Sequence, residues 1–175
     1  MIKIEERQLG RAKNALMFYL ERHMIVPKIY VDANWDGHNV DVLAIDRDGV
    51  GDVYAVLLFP LRYFDHGTLD IVGEKNAIAD VIERFGSIPA NYKYGVAVDI
   101  DSHHNAAAFA VSEPLMERTF SPDGIGRVGF LTVGADQNED PQVKVRVKAE
   151  RFRAKIAKLA DEYIDRHTAD WEIRA

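Results

Sequence analysis

The fold class this sequence predicts is α/β, with a mixed β-sheet flanked by helices, and three observations predict it. Apolar residues recur at three- and four-residue spacing near both ends of the chain and once in the middle, as on one face of a helix. Between these segments lie short β-branched or aliphatic runs bounded by glycine and polar turns, the pattern of strands. At 175 residues the chain can bury one proper core, and at roughly 100 to 200 residues per domain residues 1–175 read as a single α/β domain.

From Glu5 to Met24, the positions Leu9, Ala12, Leu16, Tyr19, Leu20 and His23 fall on one helix face. Pro27 ends this helix, because proline disfavours helical geometry in the residue before it and has no N–H to donate. Ile29, Tyr30 and Val31 read as a short strand, and Asp32 to Asn39 as a polar loop. Val40 to Asp46 and Val53 to Phe59 are two further strands, joined as a hairpin through Arg47 to Asp52, whose glycines can take the positive φ angles of tight connections. Val56-Leu-Leu-Phe59 does not alternate, which predicts a strand buried on both faces in mid-sheet.

Pro60 to Gly73 reads as a loop. Glu74 to Phe85 is a helix with Ala77, Ile78, Val81, Ile82 and Phe85 inward and Gly86 as its stop. Tyr94 to Ile100 is a strand, Asn105 to Phe120 is helical in part and interrupted by Pro114, and Val128 to Val133 and Val143 to Val147 are two more strands separated by the turn-rich Gly134 to Pro141. In the last strand the valines alternate with Lys144, Arg146 and Lys148, which predicts an apolar face and a basic one. A closing helix spans about Ala149 to His167, with Phe152, Ile156, Leu159, Ala160 and Tyr163 on one side.

Composition excludes several classes. With 47% hydrophobic residues the chain is no disordered protein, and it has no run near the roughly 18 apolar residues needed to cross a bilayer. There is no cysteine, so disulfide scaffolds and thiolate metal sites are out. The start, MIKIEERQLGRAK, has no signal-peptide core, and a cytoplasmic protein is the expectation. A net charge of -6 argues against a protein that coats nucleic acid, although a local patch can override a global sum.

Glu6-Arg-Gln-Leu9 opens the first helix; a strand follows, then Asp36-Gly-His-Asn39, Val40-Asp-Val-Leu-Ala44 and a hairpin into a buried strand. Gly124-Ile-Gly-Arg-Val-Gly-Phe-Leu-Thr-Val133 and Gln142-Val-Lys-Val-Arg-Val147 form a late strand pair. In this order of elements the chain resembles the PD-(D/E)xK nuclease superfamily, and within it the small archaeal Holliday-junction resolvases. The resemblance implies a restriction-endonuclease-like mixed β-sheet flanked by helices, with Glu6 where the first-helix acid sits and Asp41 where the metal-binding aspartate sits. It also implies an acid and a lysine, one residue apart, on the next strand. Val53 to Phe59 supplies neither. A hard divalent ion wants oxygen ligands, which aliphatic side chains cannot replace, so the departure implies loss of hydrolysis.

Each candidate has a plainer reading beside it. Asp41 is either a remnant metal ligand or an aspartate on the solvent side of a strand near an edge, and Glu6 suits a first helical turn through the dipole alone. Asp99, Asp101, His103 and His104 are candidate metal ligands or a polar strand-to-helix loop. Lys144, Arg146, Lys148, Arg151 and Lys155, with Arg153 and Lys158, form a basic block interrupted only by Glu150 up to Lys158. They are candidate nucleic-acid contacts, or a solvated flank pairing with Asp161, Glu162 and Asp165. The expected function is a non-catalytic nuclease-like domain that binds nucleic acid or a protein partner, with no cofactor and no membrane association. The alternatives are a Mg²⁺-dependent endonuclease with relocated residues, such as Glu74, Lys75 or the Asp99 to His104 loop, and a structural subunit of a larger assembly.

Overall fold

The run Val53-Tyr-Ala-Val-Leu-Leu-Phe-Pro60 has no charged side chain to turn toward water, and it lies in the interior of a six-stranded sheet. The computed structural model describes residues 2–23, 27–46, 52–61, 70–99, 128–134, 141–152 and 155–174. In chain order the elements are α1 (Ile2–His23), β1 (Pro27–Trp35), β2 (His38–Asp46), β3 (Val53–Pro60), α2 (Ile71–Phe85), β4 (Tyr92–Asp99), β5 (Val128–Gly134), β6 (Gln142–Val147) and α3 (Ala157–Arg174). The strands lie in the order β1-β2-β3-β4-β5-β6. Pairings β1–β2, β2–β3 and β5–β6 are antiparallel, and β3–β4 and β4–β5 are parallel. This mixed sheet with helices on both faces is the restriction-endonuclease-like architecture the sequence predicts, and Val53 to Phe59 is interior as expected.

Two apolar sets cover the two faces. On one, Ala12, Leu16 and Leu20 of α1 pack against Ile29, Val42, Ala44, Val56, Val96, Val98, Leu131 and Val133. On the other, Ile78, Val81 and Phe85 of α2 and Ala160, Tyr163 and Ile164 of α3 cover Leu43, Ile45, Ala55, Leu57, Phe59 and Phe130. Each fully buried aliphatic or phenyl side chain contributes about 1.5–3 kcal/mol before the entropy of ordering is charged against it. Strand β3 serves both sets through simple alternation.

Three expectations are corrected. Residues 32–35 are strand, not loop: β1 continues to Trp35 and pairs with β2 across a two-residue turn in which Asp36 and Gly37 have φ of 51° and 80°. Both central residues at positive φ is the turn geometry that matches strand twist, and Asp-Gly is a preferred pair for it. Trp35 is fully buried, its indole Nε1–H donating to the Pro89 carbonyl at 2.6 Å. Second, Pro60 belongs to β3 and residues 71–73 to α2, whose start is capped by Asp70 Oδ1 accepting from the Gly73 N–H at 3.0 Å.

Third, the closing helix begins at Ala157, not Ala149. Hydrogen bonds from Asn91 and from Tyr94 of β4 hold Ala149 and Phe152 out of helical geometry. The Phe152 N–H donates to the Asn91 carbonyl (2.7 Å), Asn91 Nδ2 donates to the Phe152 carbonyl (3.2 Å), and the Ala149 N–H donates to the Tyr94 hydroxyl (3.3 Å). Buried Asn91 also accepts from the Val53 N–H at 2.9 Å. It thus joins the start of β3 to the start of α3's approach. Gly129 makes room for this arrangement, since a Cβ there would overlap the Tyr94 ring and lie 2.7 Å from the Ala149 nitrogen.

Candidate functional site

The two carboxylates singled out by the family resemblance lie on the α1 side of the sheet. Alternation in β1 and β2 reverses at the facing residues Asp32 and Asp41. Ile29 and Val42 belong to the α1-side core, whereas Ala33, Trp35 and Val40 join the opposite one. Asp32 takes a φ of 53°, the left-handed region that aspartate tolerates better than most residues. β2–β3 pairing runs from Ile45↔Val53 to Val42↔Val56. Just past it, the Leu58 N–H donates to Asp41 Oδ2 at 2.7 Å, so a side chain satisfies a backbone donor.

Lys13 of α1 reaches both acids, with Nζ 2.5 Å from Asp32 Oδ1 and 3.9 Å from Asp41 Oδ1. Burial pushes the Asp41 carboxyl above the ordinary carboxylate value, and the Asp32 charge adds to the rise. The Leu58 N–H and the cations Lys13 and Arg84 pull it back. Glu6 is exposed and lines a groove of about 400 Å³ together with Leu9, Gly10, Lys13, Asn14, Val31 and Asp32. Glu6 therefore shares a groove with the lysine that pairs with Asp41. Lys13 and Asp32 are the residues sequence reasoning missed. The available signal was their spacing: Lys13 lies seven residues beyond Glu6 on the same helix stripe.

Opposite Asp41, Val56, Leu57 and Leu58 are apolar and largely buried. The proposed substitutes Glu74 and Lys75 stand on α2, which packs on the other face of the sheet. There Glu74 is buried and Lys75 exposed. Asp99 ends β4 beside Gly134 of β5. Asp101, His103 and His104 lie outside the described residues, as do 105–120, 135–140 and Arg153. Among the described residues, no three His, Asp or Glu side chains gather as a metal site would require.

The basic block sits along the sheet edge and the approach to α3. A register shift opposite Phe130 and Leu131 interrupts β6, with Leu131 facing Val145 and Phe130 facing Val147. The extra residue, Arg146, breaks the alternation, so the expectation that Lys144, Arg146 and Lys148 share one regular face is corrected. Lys144 faces Thr132, and Arg146 Nε donates to Thr132 Oγ1 at 3.1 Å. Past the bulge, Val147 packs with the α2/α3 core, whereas Val143 packs with the α1 core. Arg151 is engaged with Asp52, whose Oδ1 accepts from Nη2 at 2.8 Å and from Nε at 3.0 Å. Lys144, Lys148 and Lys155 are exposed.

No family model matches the chain, and no curated protein matches it. Among solved structures, it is similar to a protein of unknown function from Silicibacter pomeroyi, with a TM-score of 0.51 and 12% identity over 95% of this chain and 85% of that one. A looser likeness, with a TM-score of 0.38 and 12% identity, is to Pyrococcus furiosus SfsA in complex with Ca²⁺, covering 83% of this chain and 65% of that one. At this identity the first likeness is one of fold, and the second is too remote to carry a functional argument.

Proposed function

We propose that this chain is a nuclease-like domain that binds a nucleic acid without hydrolysing it. The observation that carries the reading is the commitment of Asp41: one oxygen accepts the Leu58 N–H, and the other faces the Lys13 ammonium shared with Asp32. An ammonium held between two carboxylates already supplies part of their countercharge, and the facing Val56 and Leu58 side chains offer no oxygen to a hard divalent cation. The donor set therefore fits Mg²⁺ poorly. Lys144, Lys148 and Lys155 are the phosphate contacts of this reading, with Arg146 supported by Thr132 and Arg151 by Asp52.

Binding of this kind draws its free energy from release of counterions condensed on the phosphates, so affinity falls steeply with salt and depends little on sequence. A fluorescence titration of the wild-type protein and a Lys144→Gln/Lys148→Gln/Lys155→Gln variant at two salt concentrations tests it. The variant is expected to bind more weakly, with its salt dependence reduced by up to about three phosphate contacts. Absence of any nucleic-acid binding at low salt would overturn the reading in favour of a protein-binding or structural role.

A further inference from the structure

A second groove, of about 760 Å³, runs between α1 and the start of β6 and is lined by neither Asp41 nor the exposed lysines. Its α1 wall carries Arg11, Phe18, Tyr19, Arg22 and His23, and Val143 lies opposite. Among the described residues, no acidic side chain lines it. This is unusual in a chain of net charge -6, and it makes the groove complementary to an anion.

The apolar part is as specific as the charge. Phe18 is 62% exposed, although burying a phenyl ring stabilises a fold by about 1.5–3 kcal/mol. It stands on the helix stripe of Arg11, Ala15 and Arg22, at successive spacings of four, three and four residues, so an arginine flanks it on each side. Beside it the rings of Tyr19 and His23 stack with centroids 4.1 Å apart. A carbonyl cannot donate, so the 2.8 Å contact between His23 Nδ1 and the Tyr19 carbonyl places a proton on Nδ1 and leaves Nε2 as the ring's other hydrogen-bonding atom. Two residues beyond the groove-lining Val143, Val145 is exposed on the same side of β6, since both face strand residues of the α1-side core.

An exposed phenyl ring set between two arginines, beside the Tyr19–His23 stack, matches a ligand with flat π-faces joined by negative charges. A duplex hides its base faces, so the match is to a single strand. We infer that the groove between α1 and β6 binds single-stranded nucleic acid, with a base stacked on Phe18 and backbone phosphates at Arg11 and Arg22. This rests on the nucleic-acid reading above and adds to it the form of nucleic acid and a surface separate from the lysines. Arg11 and Arg22 are eleven residue steps apart, about 16 Å along the helix, more than one nucleotide can bridge, so binding should require several linked nucleotides.

The test is a fluorescence-anisotropy titration with a labelled oligothymidylate of about 15 nucleotides, near the upper site size of compact single-strand binders. A duplex of equal length and thymidine monophosphate serve as competitors. Phe18→Ala is expected to weaken binding about tenfold with an unchanged salt slope, and Phe18→Trp to retain it. Arg22→Gln should weaken binding and flatten the slope by about 0.7. Both positions are exposed, so thermal melting should match the wild type. The inference is overturned, and the broader reading kept, if the oligonucleotide binds but Phe18→Ala and Arg22→Gln behave as wild type while the triple lysine variant loses affinity. Competition by the monophosphate or the duplex as strong as by the oligonucleotide also overturns it. Failure of every nucleic acid to bind at low salt sinks both.

Discussion

The Asp41 carboxylate accepts the Leu58 N–H at 2.7 Å just beyond the point where β2 and β3 stop pairing. Its side chain thus satisfies a backbone donor where the β-ladder ends. Asparagine keeps an acceptor oxygen, and burial already disfavours the charged carboxylate, so Asp41→Asn should lie within about 1 kcal/mol of the wild type. Asp41→Ala leaves the Leu58 N–H without its acceptor and should cost about 1–2 kcal/mol. Urea unfolding at neutral pH measures both.

The raised Asp41 pKa also sets a sign. In the folded state the group binds its proton more tightly than in the unfolded chain, so its contribution to stability is largest in acid. That contribution declines as pH rises through 3.8 toward the raised value. Relative to Asp41→Asn, the wild type should therefore lose stability as pH rises across that window, and unfolding midpoints measured from pH 3 to 7 would register it.

Much of the fold was legible because local pattern and burial agree. The 3.6-residue period in α1 and the unbroken apolar run in β3 each state which faces are covered, and both elements form as expected. Residues 32–35 misled because polar Asp32 and Asn34 lie in a strand whose alternation reverses at Asp32, and the Asp36-Gly37 pair was the overlooked hairpin signal. Residues 149–156 misled for a different reason. Their periodicity is helical, but Asn91 and Tyr94, more than fifty residues earlier, claim the Phe152 and Ala149 backbone. At the candidate site Glu6 and Asp41 were visible through family resemblance, while Lys13 looked like any solvated helical lysine until the fold set it beside two acids.

Gly129 gives a packing prediction. An added methyl would overlap the Tyr94 ring and crowd the Ala149 nitrogen, so Gly129→Ala should destabilise by about 1–3 kcal/mol, the usual scale for overpacking. Pairing it with Tyr94→Ala relieves the clash, and the double variant should cost less than the sum of the two single ones.

Tyr54, stacked on Tyr92 with ring centroids 4.6 Å apart, has its hydroxyl pushed up to about 12, chiefly by burial and then by the neighbouring Tyr92. A raised folded-state pKa means that the stabilising contribution is intact below pH 10 and is lost as pH climbs from 10 to about 12. Because the ring is half-buried and solvent screens part of the effect, the loss relative to Tyr54→Phe should be about 1 kcal/mol. Unfolding midpoints at pH 9 and pH 11.5 for the two proteins check it.

Binding and cleavage of nucleic acid are separable, and the proposed function is binding that leaves the strand intact. The most direct measurement is prolonged incubation of saturating protein with labelled single-stranded, duplex and branched DNA in Mg²⁺ or Mn²⁺, followed by denaturing electrophoresis of the same samples in which binding has been measured. The proposed function requires bound, full-length strands with either metal, because Asp41 is committed to Leu58 and Lys13 and no acid or lysine faces it from β3. Metal-dependent cleavage by the wild type that disappears in Asp41→Ala would contradict it.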